Sequence, residues 1–412
     1  MTTTAEPSTD ARRPEHARLD ELIDGILARR DPATTDAAVI WGEMFDAGLA
    51  WVHFPEGKGG LGLDAEYQEY IDRRFADAGV ESNIRFNMMG VGMAGPTLVA
   101  CGTEEQQDEH LRRIYTVEDV WCQMFSEPGA GSDVAGLSTR AVRDGDEWVV
   151  NGQKVWTTQA HVAAKGLLLV RTDPDAPKHK GLSYFWIDLH SPGVDVRPLR
   201  QLTGAAEFNE IYFTDVRVPD SNRIGDVGAG WNVAITTLMN ERTMLGKLAD
   251  PSRAPNLGNY ALDLWRRRGL DDPVLRDRLM EVWVDDAVVR LLMQRAEQNR
   301  KLGTPGPESS LGKISVSPQQ QRTYKLCIDL LGAEGMLIDD YEMRRPDTVS
   351  ESILGGAPAD ACLQKTFLEV QGATIGGGTS EISRNIIGER VLGLPKEPSV
   401  DRDLPWSEIP RS

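Results

Sequence analysis

The chain has 412 residues, and 63 acidic against 45 basic side chains give it a formal net charge of −18 at pH 7. Such an acidic chain without a basic patch does not suit nucleic acid or an anionic membrane surface, because both select lysine and arginine. Its apolar runs are a few residues long, well short of the roughly 20 that a membrane-spanning helix needs. The first thirty residues are polar and do not match a signal peptide.

The cysteines and histidines predict neither a metal site nor a disulfide framework. The 4 cysteines are widely scattered, and the 6 histidines form no cluster with metal-ligand spacing. We therefore expect reduced, mostly buried thiols in a cytoplasmic protein without a bound metal.

Hydrophobic periodicity divides the chain into three folded regions. After a tail over residues 1–17, we predict an N-terminal helical domain over residues 18–120. Within it, Thr103 and Gln106 have the spacing of a helix-capping box. The segment Gly90-Val-Gly-Met-Ala-Gly95 has the GxGxxG spacing of dinucleotide-binding loops, but no strand-helix-strand unit surrounds it, so close helix packing is the better interpretation.

A β domain is predicted over residues 121–226. Asp144-Gly145 predicts a hairpin turn between two strands, and Asn151-Gly152 predicts a second one. The short spacing leaves no room for crossover helices, which favours an antiparallel barrel or sandwich. Further strands are predicted over residues 166–172, 182–189, 194–199 and 209–218.

Helical periodicity returns over residues 227–395, and we expect a helical bundle there. Loops rich in Pro and Gly interrupt it around residues 250–257 and 303–311. A second tail is expected over residues 396–412.

Two segments of the β domain are candidates for ligand contact. Ser126-Glu-Pro-Gly-Ala-Gly-Ser-Asp133 predicts a loop of accessible backbone N–H groups that suits an anionic or planar polar ligand. Strand alternation puts Trp156 and Thr158 on one face, where they could stack on and hydrogen-bond to a planar ring. Taken alone, the octapeptide fits a surface turn better, and the pair fits a core tryptophan beside a strand-favouring threonine better.

A glycine-rich segment, Gly376-Gly-Gly-Thr-Ser-Glu-Ile382, opens the last predicted helix. The glycines leave space for a close ligand, Thr379 or Ser380 can cap the helix, and a helix N-terminus attracts phosphate. Such a loop is also common as a purely structural feature.

Glu241 interrupts an apolar stripe on a predicted bundle helix. It lies three residues after Leu238 and four before Leu245, on the face that also carries Ala234 and Leu248. A carboxylate on an apolar face is costly unless it is paired or functional. Burial would raise its pKa, as a general base near neutral pH requires, whereas the alternative is a salt bridge with Arg242 or another arginine.

Together these segments resemble the acyl-CoA dehydrogenase family. The matching stretches stand in the family's order and span about residues 40–395; besides the segments above they include Asn151–Thr158, Phe213–Pro219 and Gly230-Trp231. The resemblance implies an α+β multidomain fold, with an N-terminal helical domain, a middle antiparallel β-barrel or sandwich domain and a C-terminal four-helix bundle. It also implies assembly into a homotetramer or homodimer.

The resemblance further implies FAD held between the β domain and the bundle. The residues that would line it are Phe125, Ser126, Gly131 and Ser132 along the flavin and phosphates, Trp156 and Thr158 at the isoalloxazine ring, and Gly378, Thr379 and Glu381 around the adenosine half. Two further residues, Arg268 and Gly332, lie in segments that reach FAD from a neighbouring subunit in the family.

In the family reaction a glutamate removes the α-proton of an acyl-CoA thioester while the β-hydrogen leaves as hydride to FAD. The product is a trans-2-enoyl-CoA, and the electrons pass to an electron-transfer flavoprotein. Many members carry the base at the position of Gly377, which cannot accept a proton. The isovaleryl and long-chain subgroups, and some actinobacterial enzymes of steroid side-chain degradation, carry it in a Glu-Arg pair on a bundle helix, which Glu241-Arg242 resembles. Glu241 is therefore the candidate base.

Two departures from the family pattern keep other hypotheses open. Arg268-Gly-Leu-Asp-Asp272 replaces the usual Arg-x-x-Phe-Gly, and Asp329 replaces a usual glutamine. Both add negative charge near a phosphate-rich cofactor, so either a homo-oligomer binds FAD differently or a paralogous subunit completes the site. The second case motivates the alternative of a low-activity subunit that assembles with a dehydrogenase paralogue. A flavin oxidase or monooxygenase on the same fold is the other alternative. The base placement suggests branched or bulky acyl groups only by analogy.

Overall fold

The structure is a computed structural model that describes residues 14–248, 256–301, 308–348 and 362–409, except 397, 399, 400 and 402. The expected loops around residues 250–257 and 303–311 lie mostly outside these ranges. The described helices include none whose length and apolar character would allow it to span a bilayer.

The N-terminal region is helical, as expected. Its helices are α1 (Pro14–Arg29), α2 (Ala37–Asp46), α3 (Tyr67–Asp77), α4 (Ile84–Met89), α5 (Gly95–Cys101) and α6 (Glu104–Tyr115). Helix α1 begins within the stretch that the sequence assigns to a tail. The predicted capping box is confirmed, because the Thr103 side chain accepts from the Gln106 backbone while the Gln106 side chain accepts from the Thr103 backbone.

The GxGxxG segment lies in a π-turn, Gly90–Ala94, that joins α4 to α5. A Cβ on Gly92 would lie 2.0 Å from Sδ of Met244, and one on Gly95 would lie 2.9 Å from the Trp51 ring. The predicted close packing is therefore confirmed.

The β domain is a curled sheet, and the described residues form seven strands in it: β1 (Trp121–Met124), β2 (Arg140–Asp144), β3 (Glu147–Thr158), β4 (Lys165–Arg171), β5 (Leu182–Asp188), β6 (Val194–Pro198) and β7 (Phe208–Pro219). The order is β1-β4-β2-β3-β7-β6, with β5 also paired to β4. Most pairs are antiparallel, whereas β1 runs parallel to β4. Strand β1 was not predicted from the sequence.

The predicted hairpin turn at Asn151-Gly152 is wrong, because β3 runs through it without a break. The register of β3 on β7 shifts there, which makes the pair part of a β-bulge. Gly152 has φ +153°, and a Cβ on it would lie 2.4 Å from Oγ1 of Thr139. The Asn151 side chain donates to Oδ1 of Asp215 and accepts from its backbone N–H, both at 3.0 Å.

The C-terminal region is helical, with α7 (Gly230–Leu248), α8 (Leu257–Arg268), α9 (Pro273–Lys301), α10 (Glu308–Leu331), α11 (Leu363–Glu369) and α12 (Ser380–Ile386). Helices α8, α9 and α10 share an apolar core that includes Leu264, Val282 and Leu326. Helix α7 instead packs against α5, β4 and β5. It therefore connects the C-terminal region to both other domains.

A chain of three fully buried hydroxyls ties these domains together. The Thr237 hydroxyl on α7 lies 3.0 Å from that of Thr97 on α5 and 3.0 Å from that of Tyr184 on β5. Thr237 precedes Glu241 by four residues, which is about one helical turn. The chain therefore fixes α7 close to the candidate base.

Part of the expected C-terminal tail docks on the β domain. The Trp406 backbone N–H donates to the Ala176 carbonyl at 3.0 Å, and its indole N–H donates to the Gly136 carbonyl at 3.3 Å. Lys178 joins the tail to the loop after β1, since its ammonium lies 2.6 Å from Asp401 and 3.1 Å from Asp133.

Candidate active site

Glu241 lies on α7 at the junction of the three domains. In the apolar stripe on this helix, Ala234 is fully buried and Leu238 is partly buried against the main core. The side chains of Leu245 and Leu248, which continue the stripe, lie outside the described residues. Glu241 itself is only partly exposed. Burial raises the pKa of its carboxyl, as the sequence argument anticipates for a general base.

Polar groups from three elements act on this carboxyl. A side-chain hydrogen bond joins it to Gln123 of β1, and positive charge reaches it from Arg242 on the same helix and Lys313 on α10. These three interactions favour the carboxylate and oppose the effect of burial on its pKa. Arg242, the neighbour considered as a salt-bridge partner, thus acts on the carboxyl together with Gln123 and Lys313.

A cluster of buried methionines lies about one turn along α7 from Glu241. Met244, three residues further along α7, packs with Met88, Met89 and Met93, and all four are buried. Methionine is unbranched and polarizable, so such a cluster adapts its shape easily.

The loop after β1 is held by a buried ion pair that the sequence reasoning missed. The Lys154 ammonium lies 2.8 Å from Oε1 of Glu127 and 3.0 Å from the Phe125 carbonyl. Burial favours the neutral form of Glu127, but Lys154 and two backbone N–H donors, from Ser138 and Thr139, hold its pKa below the usual value. Burial lowers the pKa of Lys154.

The Lys154–Glu127 ion pair holds the predicted ligand loop, Ser126–Asp133, beside β3, the strand that carries Trp156. The Val155 N–H also donates to the Ser126 carbonyl at 2.9 Å, so loop and strand are joined directly. A Cβ on Gly131 would meet no atom within 4 Å, and Gly131 and Ser132 are exposed. The loop thus presents accessible backbone toward solvent.

Trp156 is not a core residue, so the interpretation of it as a core tryptophan is wrong. Its side chain is 57% exposed, and its ring meets that of Phe208 edge-on at 5.7 Å. Thr157 is fully buried and Thr158 is only partly buried. Trp156 and Thr158 are therefore both less buried than Thr157 between them, but the alternation is not regular here, because Trp156 has φ +60° and the register of β3 on β7 shifts between Lys154 and Thr157.

The glycine-rich turn before α12 is fixed by one face of α10. Lys313 and Ser317 both donate to the Ala373 carbonyl, at 2.6 and 2.9 Å, and Lys313 also donates to the Gly376 carbonyl at 2.6 Å. Gln321 donates to two carbonyls at the start of the same turn. The three donors are spaced by four residues, so they form a ladder along the helix.

Helix α12 begins as predicted. The Thr379 side chain accepts from the Ile382 N–H at 3.2 Å and caps the helix, so the cap is Thr379 and not Ser380. Gly377 and Gly378 have φ +67° and +88°, which L side chains rarely adopt. Glu381 is exposed, with Arg384 at 3.7 Å.

The two segments expected to reach FAD across a subunit interface, those of Arg268 and Gly332, contact each other within this chain. Arg268, at the end of α8, donates to Glu334 at 2.8 Å and to the Leu331 carbonyl at 3.2 Å, next to Gly332. Their contact with FAD stays a prediction. The negative charge of Asp329 is compensated by Arg278, whose guanidinium lies 2.6 Å away.

All three regions of the chain match known proteins. Family models described as the N-terminal, middle and C-terminal domains of acyl-CoA dehydrogenase match residues 18–118, 122–216 and 228–392. The chain is 37% identical to the acyl-CoA dehydrogenase IpdE1 of Mycobacterium tuberculosis over 85% of this chain and 86% of that protein. It is 37% identical to FadE34 of the same organism over 86% of this chain and 46% of that protein.

Among solved structures, the fold resembles that of the ChsE4–ChsE5 complex from Mycobacterium tuberculosis, with a TM-score of 0.65 and 28% identity over 94% of this chain and 100% of that one. It also resembles the Tcur3481–Tcur3483 steroid ACAD, with a TM-score of 0.67 and 26% identity over 94% of this chain and 100% of that one. These structures agree with the helical, β and helical order described above.

Proposed function

This chain belongs to the acyl-CoA dehydrogenase family, and from that premise we propose that it dehydrogenates an acyl-CoA thioester between its α and β carbons to a trans-2-enoyl-CoA. The observation that carries the proposal is the position of Glu241, a carboxyl with a raised pKa on the helix where the three domains meet. An electron-transfer flavoprotein is the proposed electron acceptor.

The residues at the site fit FAD, which members of this family typically bind. An exposed tryptophan offers a flat stacking surface, and Gly131 leaves room for a close ligand. Phe125, Ser126, Gly131, Ser132, Trp156, Thr158, Gly378, Thr379 and Glu381 would hold the cofactor in this chain. When bound, FAD supplies the acceptor for the hydride that leaves the β-carbon.

Glu241 would take the α-proton onto a carboxylate oxygen. Its raised pKa suits this role, because a base works best when its pKa is close to the working pH. The hydrogen bond from Gln123 and the positive charges of Arg242 and Lys313 favour the carboxylate and oppose the effect of burial on its pKa. The methionine cluster would exclude water from the acyl group.

We propose that the enzyme works as an oligomer. Helix α9 exposes an apolar stripe of Met280, Val284, Val288 and Leu291, spaced by four, four and three residues. An apolar stripe of this kind usually marks a contact surface. A homotetramer or homodimer is the first expectation, and a heteromer with a paralogue is supported by the ChsE4–ChsE5 complex, which is named as an assembly of two chains.

The acyl group is proposed to be bulky. The position of the base on a bundle helix and the adaptable methionine cluster one turn from it both support this, and one structural relative is named a steroid ACAD. A panel of linear, branched and steroid-side-chain acyl-CoA thioesters, tested for bleaching of the flavin absorbance, would identify the class.

The test of the proposal is Glu241→Gln. We expect the purified variant to keep its yellow cofactor but to lose acyl-CoA-dependent bleaching, while Glu21→Gln, an exposed glutamate on α1, behaves as wild type. A wild-type bleaching rate in Glu241→Gln would rule out this base. A colourless, stable wild-type oligomer would favour the low-activity subunit, and stoichiometric hydrogen peroxide release would favour an oxidase.

A further inference from the structure

The C-terminal tail returns to the β domain and packs on the loop between β4 and β5. We call its residues 401 and 403–409 the strap. The Trp406 backbone N–H donates to the Ala176 carbonyl at 3.0 Å, and the Ser407 N–H donates to the Pro174 carbonyl at 2.9 Å. These main-chain hydrogen bonds fix the position of the strap along the loop.

The Trp406 side chain connects the strap to the segment that follows the predicted ligand loop. Its indole N–H donates to the Gly136 carbonyl at 3.3 Å, and its ring covers the Arg171 guanidinium, with Cζ 4.6 Å from the ring centroid. The guanidinium is almost fully buried and donates to the carbonyls of Ala135 and Lys178, both at 2.6 Å. A guanidinium over an indole face is attracted to it, more strongly when water is excluded. Trp406 therefore completes a cluster that joins the strap to both loops.

A shared cation forms the second connection between the strap and the ligand loop. The Lys178 ammonium lies 2.6 Å from Asp401 of the strap and 3.1 Å from Asp133, the last residue of the ligand loop. The Lys178 side chain is only 12% exposed, so solvent screens these two ion pairs less than it would on an open surface. Loss of the Asp401 charge would therefore loosen the position of Lys178 against Asp133.

The ligand loop, residues 126–133, is thus attached at both ends. Its first residues are held on β3 by the buried ion pair described above. Its last residue, Asp133, is held through Lys178 to the strap. Between the two attachments Gly131 and Ser132 are exposed, and these are two of the positions proposed for FAD.

We propose that the strap is a positioning element of the cofactor site, in which Trp406 and Asp401 hold the ligand loop in the conformation that binds FAD. The inference rests on the proposed function, in which this loop contacts the cofactor. Without the strap, the loop would open more often at its Asp133 end. A ligand that contacts the loop would then leave sooner, because its release proceeds through the open states.

Three substitutions in the full-length chain remove the connections separately. Trp406→Ala removes both the indole hydrogen bond and the ring over Arg171, whereas Trp406→Phe keeps a ring but has no donor. Asp401→Asn removes the charge that Lys178 meets on the strap. Glu408→Gln, at an exposed position of the strap, is the matched control.

Hydrogen–deuterium exchange of the purified proteins reports the opening of the loop and requires no turnover. We expect peptides that cover residues 133–137 to exchange roughly tenfold faster in Trp406→Ala, because a hydrogen bond and a cation–π contact are lost together. Trp406→Phe and Asp401→Asn should lie between Trp406→Ala and wild type, and Glu408→Gln should match wild type. Exchange in helices α2 and α6 should stay unchanged. Faster exchange throughout the protein, which a purely structural role predicts, would overturn the inference.

The release of FAD from the diluted holoenzyme, followed by the recovery of flavin fluorescence, tests the connection to the cofactor. We expect release to accelerate in the same order of variants as the exchange. Unchanged exchange over residues 133–137, or faster exchange with an unchanged release rate, would overturn the inference. If Trp406→Ala does not fold, Asp401→Asn decides by the same two measurements.

The outcomes separate this inference from the proposed function. A wild-type chain that binds no FAD would overturn both. If wild type binds FAD and reduces it with an acyl-CoA, while Trp406→Ala and Asp401→Asn match it in exchange and release, only the role of the strap fails. Faster loop exchange and faster FAD release in these variants, with no change in Glu408→Gln, would support it.

Discussion

Gln123 of strand β1 and Glu241 of helix α7 share a side-chain hydrogen bond, so the β domain directly contacts the candidate base. The two residues are 118 positions apart and belong to regions matched by different domain models. Any movement of the β domain against α7 would therefore change the environment of the carboxyl. If Glu241 is the base, as proposed, the β domain would take part in proton transfer as well as in binding the cofactor.

Replacement of Gln123 by leucine should slow the reaction on the acidic side of its pH profile. The hydrogen bond favours the carboxylate, so its loss raises the pKa of Glu241 further, and a smaller fraction of the base is ionised at a given low pH. Single-turnover flavin reduction across pH would check this. The rate on the alkaline side should approach that of wild type, and a uniform loss would point to misplacement of the thioester instead.

Glu241→Gln should stabilise the protein at neutral and higher pH. The folded-state pKa of Glu241 is raised above its unfolded value by burial, so the native state binds more protons, and stability falls as pH rises from the unfolded pKa through the folded one. Glutamine removes this dependence. Chemical denaturation at several pH values should show the difference shrinking below the usual pKa of a glutamate, about 4.3. A less stable variant at pH 8 would contradict the burial of this carboxyl.

Lys154→Met should be strongly destabilising. It leaves the buried Glu127 carboxylate without its cation, and breaking one side of a buried ion pair costs about 3–5 kcal/mol. The double variant Lys154→Met with Glu127→Gln should recover much of that loss, because it removes the unpaired buried charge and the glutamine oxygen can still accept from one of the two backbone N–H groups, that of Ser138 or that of Thr139. Urea denaturation of both variants, with FAD content measured in parallel, would check this. Equal stability of the single and double variants would argue against the ion pair.

Thr237→Val should lower stability by about 1–3 kcal/mol, because it leaves the buried hydroxyls of Thr97 and Tyr184 without their shared partner. Valine has nearly the shape of threonine, so little packing is lost. Thr236→Val, on the exposed side of the same helix, is the matched control. A thermal unfolding midpoint equal to that of the control would show that the hydroxyl chain contributes nothing measurable.

The sequence was sufficient for the order of the domains and for most strands, since these depend on local periodicity. The prediction was wrong at Asn151-Gly152, because a residue pair that favours a tight turn is also compatible with a β-bulge in a continuous strand. Which of the two forms depends on the pairing of β3 with β7 and on the Asp215 partner, both of which are distant in sequence.

Residues of the candidate site could be predicted only where the pattern that marks them lies within a single helix or strand. Glu241 was identifiable from the stripe on its own helix, and Thr379 from its position before a helix. Gln123, Lys313 and the Lys154–Glu127 pair depend on contacts between elements, which no local pattern reveals. For the ion pair, the sequence offers one indication: Lys154 is a charged residue at an inward-facing position of a strand.

The most direct test of the central claim is the exchange of the substrate α-proton with deuterium oxide. NMR would follow an acyl-CoA found to bleach the flavin, incubated with the FAD-loaded wild-type chain and with Glu241→Gln. We expect deuterium to enter the α position with wild type and exchange to fall to the background rate with Glu241→Gln, while both bind the thioester. Exchange at the wild-type rate in the variant would contradict the assignment of Glu241 as the base.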